Sequence, residues 1–179
     1  NVRIKHLVGY PFGMITGRVQ ERSPDGHLVF NEDGTATASN EYVPIGNGIA
    51  DWTGGFTNTL SWKGINLSFL IDFKIGGDLF SGTNNRLLQW GLHKNSLIGR
   101  EGEDPLVIEG VYRTQTGTDE NGDPVYTYSD PFTRTLTPEE ARDYWSDVGG
   151  EATAISTMFI YDASFGKLRQ VTLGYSLPR

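Results

Sequence analysis

Apolar and polar residues alternate most cleanly between positions 65 and 75. Ile65, Leu67, Phe69, Ile71, Phe73 and Ile75 share one parity, and Asn66, Ser68, Asp72 and Lys74 the other, with Leu70 the exception. Period two sends successive side chains to opposite faces of a strand. On a helix Asp72 and Lys74 would lie about 200° apart and the apolar set would scatter round the axis, so strand is the better reading. Upstream, Phe56, Leu60 and Trp62 alternate with Thr57, Thr59 and Ser61, and Asn58 interrupts the apolar face. Lys63-Gly64 between the two arms predicts a tight reversal. These patterns predict strands over about 53–62 and 65–75, each about ten residues, the length that a tilted strand needs to cross a bilayer. A third strand is expected over about 166–177. There Val171, Leu173, Tyr175 and Leu177 alternate with Gln170, Thr172, Gly174 and Ser176, and Pro178 ends the pairing. Weaker alternation predicts a fourth over about 13–22.

The connections are very unequal. One is Lys63-Gly64; the others cover about 23–51 and 76–165. Long stretches without regular structure are rare inside compact soluble domains, whereas outer-membrane barrels join their strands by short turns on one side and long loops on the other. With Lys63-Gly64 on the periplasmic side, 53–62 runs inward, 65–75 outward and 166–177 inward again, so 76–165 is extracellular. That loop carries its own signals. Asn84–His93 predicts about two helical turns, and Leu106–Arg113 with Val125–Tyr128 a small hairpin around Asp119-Glu120-Asn121-Gly122-Asp123. Thr137-Pro138-Glu139-Glu140 has an N-cap, a proline in the first turn and a capping-box glutamate, which starts a helix running to about Trp145.

Composition sharpens this picture. Among 179 residues stand 23 glycines, 4 tryptophans, 8 tyrosines and 9 phenylalanines, which favours strands and turns over helices. No run of about 18 apolar residues exists, so no transmembrane helix is expected. A barrel strand shows an apolar side chain only at every second position, so a membrane is not excluded. The net charge of -7 would repel a phosphate backbone, which argues against nucleic-acid binding. Cysteine is absent, which removes disulfides and thiolate chemistry. Asn1-Val2-Arg3-Ile4-Lys5-His6 does not open a signal peptide.

Three stretches, in this order, resemble the SusC/RagA-type TonB-linked outer-membrane proteins. The first joins Pro44-Ile45-Gly46-Asn47 to Asp51-Trp52-Thr53-Gly54-Gly55-Phe56-Thr57-Asn58-Thr59-Leu60. The second runs from Trp62-Lys63-Gly64 through the alternating strand to Gly76-Gly77-Asp78. The third is Ile160-Tyr161-Asp162-Ala163-Ser164-Phe165-Gly166-Lys167-Leu168-Arg169, continuing to Leu177-Pro178. Gly99-Arg100-Glu101 and Tyr144-Trp145 add lesser similarity. Two departures stand out: Ala50-Asp51 replaces a proline before the tryptophan, and Gly166 stands where a larger residue is usual. The resemblance implies an all-β fold: one antiparallel segment, residues 1–179, of a 22-stranded transmembrane β-barrel, with long extracellular loops and short loop helices. It implies TonB-energised import of oligosaccharides or peptides across the bacterial outer membrane. The implied partners are a SusD-like surface lipoprotein, the TonB complex, a glycan or peptide substrate and outer-membrane lipid. The family's plug domain and TonB box lie N-terminal and are absent here, so the chain reads as a fragment. Four strands cannot close a barrel, and open edges do not survive in lipid.

No cofactor and no enzymatic activity are expected. Asp33-Gly34 and Asn121-Gly122 sit in acidic turns without the spacing or closing glutamate of a calcium loop, and turn chemistry accounts for them. His6, His27 and His93 lack metal-ligand spacing. Asp72 and Lys74 fall on the polar parity, where a barrel has its lumen; they are candidates for substrate or plug contact, against a plain solvated wall. In the loops, Arg86, Trp90 and Arg100 are candidates for ligand or lid contact, because aromatic faces stack on sugars and guanidinium groups give forked hydrogen bonds. Loop packing is the competing reading. The rival for the whole chain is a soluble β-sandwich that binds carbohydrate, in which a second sheet would cover the apolar face of 65–75.

Overall fold

The computed structural model describes residues 2–100, 104–151 and 153–177. Asn1, Glu101 and Pro178, which enter the expectations above, lie outside them. The elements in chain order are β1 (Val2–Lys5), β2 (Met14–Gly17), β3 (Val29–Phe30), β4 (Val43–Asn47), β5 (Trp52–Trp62), β6 (Ile65–Ile75), β7 (Asp78–Phe80) and α1 (Gly82–Gln89). Then follow β8 (Val107–Thr118), β9 (Pro124–Tyr128), β10 (Phe132–Thr135), α2 (Pro138–Val148), β11 (Ile160–Asp162) and β12 (Phe165–Tyr175). The sheets are mainly antiparallel; β3 runs parallel to β8. No helix of the described residues is long and apolar enough to cross a membrane.

The chain divides into two units. One comprises Thr16–Ile45 and Phe80–Ile160 with the stretch up to Arg3; the other comprises Ile4–Ile15, Gly46–Leu79 and the residues from Tyr161 onward. The first unit has an interior. Phe30, Leu88, Ile108, Leu136, Ala141, Trp145, Val148, Ile155 and Phe159 form one buried cluster. On α2 the residues Ala141, Trp145 and Val148, spaced four and three apart, put one stripe into it. The start of α2 follows its capping box: the Thr137 hydroxyl accepts from the Glu140 N–H at 3.3 Å, and the Glu140 carboxylate accepts from the Thr137 N–H at 2.9 Å. Arg134 pairs with the same carboxylate. The helix α1 is capped by Ser81 and begins and ends earlier than the 84–93 pattern indicates. Its buried Asn85 donates to the Gly149 carbonyl at 3.1 Å. A Cβ on Gly149 would stand 2.8 Å from the Asn85 carbonyl, so the glycine is what lets the end of α2 approach α1.

Two expectations change here. The strand expected over 13–22 is the four-residue β2, all of it buried, followed by isolated bridges at Gln20 and Arg22. The 76–165 segment, expected as a loop with a hairpin and helical turns, carries most of the cluster that fills the first unit, and β10 joins the hairpin as a further strand.

The second unit is dominated by the sheet β12-β6-β5, each strand 11 residues long. Lys63 (φ 46°) and Gly64 (φ 86°) both take the left-handed region, the two-residue hairpin geometry whose twist matches that of the strands. β5 and β6 pair without a break from Trp52↔Ile75 to Trp62↔Ile65. β12 pairs with β6 in two registers, shifted between Leu168 and Gln170 by a β-bulge at Arg169.

Candidate functional site

The sheet of the second unit has two chemically different faces. In register, Trp52, Phe56, Leu60 and Trp62 stand with Ile75, Ile71, Leu67 and Ile65. Beyond β6 the same face continues through Leu168, Val171, Leu173 and Tyr175 of β12. Apart from Asn58 and the glycines it is entirely apolar. It is also bare: Leu173 is 74% exposed, Trp52 71% and Trp62 68%. The opposite face carries Thr57, Thr59, Ser61, Asn66, Ser68, Asp72, Lys74, Lys167, Gln170 and Thr172, with Leu70 and Phe165 as its apolar members. There the Thr59 and Ser68 hydroxyls meet at 3.2 Å, and the Ser61 hydroxyl donates to the Asn66 side-chain oxygen at 2.7 Å.

The bulge is what keeps the faces distinct. In an unbroken β12, Lys167 and Arg169 would share the parity of Val171, Leu173 and Tyr175. One extra residue moves Leu168 opposite Ile71 and Lys167 opposite Asp72, so each takes the face that suits it. The bulged Arg169 then gives Asp72 two contacts, from Nε and Nη2, both at 2.9 Å. Asp72 and Lys74 therefore lie on the polar face, with Asp72 held by a partner that the alternation pattern did not reveal. The signal was present: two cations interrupt an otherwise apolar parity.

The motif residues at the end of this sheet act as clamps. Asp162 accepts from the Ser164 N–H at 2.8 Å and from its hydroxyl at 2.6 Å, and the Ser164 hydroxyl accepts from the Gly76 N–H at 2.8 Å. The Ala163 N–H donates to the Gly77 carbonyl at 2.8 Å. Asp78 accepts from the Asn47 N–H at 2.8 Å. The Ser164 donors, and to a smaller extent the charge of Lys74, hold the Asp162 carboxyl below its usual range. These acidic residues tie loops to strand ends.

The loop candidates belong to the first unit. Trp90 and Arg100 line one cavity of about 230 Å³ together with Gln89, Gly91, Ser96, Arg142, Asp143, Trp145 and Ser146. Trp90 caps α1 and is 70% exposed. Arg100 donates through Nη1 to the Gly91 carbonyl at 3.1 Å. Gly91 (φ +70°) permits this approach, since a Cβ there would stand 3.2 Å from the same nitrogen. Trp145 donates its indole N–H to the Ile98 carbonyl at 2.9 Å. Arg142 is pinned to Asp143 through Nε and Nη2, each at 2.9 Å. Arg86 does not line the cavity: it donates to Gln89 at 2.8 Å and pairs with Glu151 at 3.3 Å. Sequence reasoning missed Arg142 and Ser146, one helical turn apart on α2 and flanking Trp145.

The acidic turns and histidines have local roles. Asp119 accepts from the Asn121 and Asp123 N–H groups at 2.8 and 2.9 Å, and these bonds lower its pKa. The Asp33 carboxylate accepts from the Thr35 N–H at 2.9 Å. His93 caps a short 3₁₀ turn, and His6 stacks on Phe12. No group of three or more potential metal ligands occurs among the described residues.

A two-faced sheet with a bare apolar side is what a membrane-facing wall requires. Comparison with known proteins points the same way. The chain is similar to a TonB-dependent receptor. Over 58 residues, 31% of the chain, it is 36% identical to TonB-dependent receptor P39 of Formosa agariphila, and the match spans 6% of that receptor's length. No protein-family profile matches the chain.

Proposed function

We propose that this chain supplies barrel wall and surface loops to a TonB-energised outer-membrane importer of the SusC/RagA type. The observation that carries the reading is the continuous bare apolar face across β5, β6 and β12, with aromatic residues at both ends. From Trp52 to Trp62 the strand advances about 34 Å, and at a tilt of about 40° this is about 26 Å of height. A barrel's apolar band is about 25 Å tall and is flanked by aromatic girdles. Trp62 and Tyr175 stand at one border and Trp52 at the other. Lys63 sits over the Trp62 ring at 5.0 Å, a cation at the level where a headgroup would be.

The opposite face is then the lumen wall, where Asp72, Lys74, Lys167 and Arg169 carry no desolvation cost. The outer edges of β5 and β12 have no further strand against them among the described residues. In lipid such edges must be paired, so the reading requires neighbouring strands from a larger, 22-stranded barrel. The segments 23–51 and 76–165 are the extracellular loops of this reading. A SusD-like lipoprotein and an oligosaccharide or peptide meet the protein there, and TonB acts through a plug. No part of this reading involves catalysis or a cofactor.

Single-tryptophan variants in lipid vesicles test it. With bromine placed at the acyl-chain centre, a tryptophan at position 69 is expected to be quenched most, and those at 52 and 62 least. Uniform quenching would refute the assignment. A chain that stays monomeric and melts cooperatively without detergent would instead favour the soluble carbohydrate-binding sandwich.

A further inference from the structure

The cavity beside Trp90 has a composition that selects a ligand, and we propose that it binds one sugar residue bearing a carboxylate, a uronate of an oligosaccharide. The inference rests on the importer reading and names the substrate class for its outer part. Three observations carry it. First, Trp90 offers a broad, largely water-exposed indole at the rim. Such a surface stacks well on the apolar face of a pyranose. The floor is the buried Trp145, whose N–H is already engaged, while Ser146 and the amide of Gln89 line the sides with neutral hydrogen-bonding groups.

Second, the cavity is cationic in a chain of net charge -7. Its carboxylate, Asp143, is matched by the two contacts from Arg142. Arg100 is then in excess. Its Nη1 donates to the neutral Gly91 carbonyl, and no carboxylate pairs with it among the described residues. A guanidinium fork matches a carboxylate in two parallel hydrogen bonds.

Third, the walls disfavour a peptide. They are α1, the turn at Lys94–Leu97 and α2, whose backbone groups serve their own helices. A peptide that binds by adding a strand needs an open sheet edge, and no strand lines this cavity. A space of about 230 Å³ is also small for a ligand pocket and suits one residue of a chain.

The test is calorimetric titration of the full chain in detergent with trigalacturonate, galactotriose and triglutamate. Trigalacturonate is expected to bind at least about tenfold more tightly than either of the others, a difference of about 1.4 kcal/mol. Trp90→Ala should weaken it about tenfold. Arg100→Gln should bring trigalacturonate down to the level of galactotriose while leaving galactotriose unchanged. Equal binding of the acidic and neutral sugars would overturn the uronate assignment, and tighter binding of triglutamate would overturn the sugar class. Absence of binding by all three would overturn the site. Bromolipid quenching of the single-tryptophan variants at 52, 62 and Phe69→Trp, in vesicles, reports separately on the importer reading. Unchanged melting of the variants excludes unfolding as the cause of a loss.

Discussion

The two units use the same side chains under opposite conditions. In the first, Leu88 is 2% exposed and Phe30 also 2%, inside a cluster drawn from short elements. In the second, Leu173, Trp52 and Trp62 stand about seven-tenths exposed on long regular strands. Both obey the same demand for water-free surroundings. One unit meets it with its own chain. The other leaves it unmet among the described residues, and the proposed barrel wall would meet it with lipid. Regularity and burial thus trade places: the better ordered the alternation, the less the chain itself covers.

Substitutions can break this contrast. The largest effect is expected in the first unit. Leu88→Ala should cost about 2–5 kcal/mol, because the cavity it leaves cannot close fully. That loss, read from denaturant unfolding, should be the same with and without detergent. A detergent-dependent loss would mean that this cluster, too, relies on an outside medium. Next comes the sheet. Leu67→Arg, near the middle of the bare face, should cost about 2–4 kcal/mol of folding free energy in lipid vesicles. Ser68→Arg, one residue away on the polar face, should be nearly neutral in the same assay. Equal costs would erase the distinction between the faces.

Smaller effects sharpen it. Thr137→Ala removes the N-cap of α2 and should cost about 1 kcal/mol in the first unit alone, while Thr137→Ser should restore most of it. The pH dependence of that unit is the subtlest test, because two carboxyls of α2 act in opposite senses. The Thr137 N–H, with Arg134 adding to it, holds Glu140 below its usual range. Its stabilising contribution is present above the unfolded-state pKa and is lost as pH falls through the lower folded value. Burial pushes Asp147 up, with the charge of Asp33 adding to it. Its ionised form opposes folding, and that penalty disappears as pH falls through the raised value. Asp147→Asn should therefore raise the melting temperature at neutral pH, and the gain should vanish below the ordinary carboxylate range. Glu140→Gln should lower it at neutral pH and approach the parent in acid. Thermal scans from pH 7 to pH 3 check both signs.

What could be read in the sequence follows the same division. The β5–β6 hairpin was legible because parity, length and Lys63-Gly64 all pointed to one register. The capping box of α2 was legible because its signal lies within four residues. The interior of the first unit was not. Phe30, Ile108 and Phe159 meet only through tertiary contact, and β2 is buried on every residue, which erases alternation. Asp72 and Lys74 were assigned to the polar side by parity, but Arg169 was hidden by the shift in β12. Trp90 and Arg100 were chosen by residue type alone; that both line one cavity depends on Gly91 and on α2, neither of which a local pattern could reveal.

β12 is written in two frames joined at one residue. A ladder with every rung in place would have been the more regular object, yet it would have put Lys167 and Arg169 among Val171, Leu173 and Tyr175. The strand instead accepts one broken rung and keeps Lys167, Leu168 and Arg169 sorted, with Phe165 alone on the polar side. Removing Arg169 would mend the ladder and leave the four residues before it on the faces they already hold; filling the missing rung with Arg169 in place is what would invert them. Here hydrogen-bond regularity is the quantity that bends, and the match between each side chain and its surroundings is the quantity held fixed.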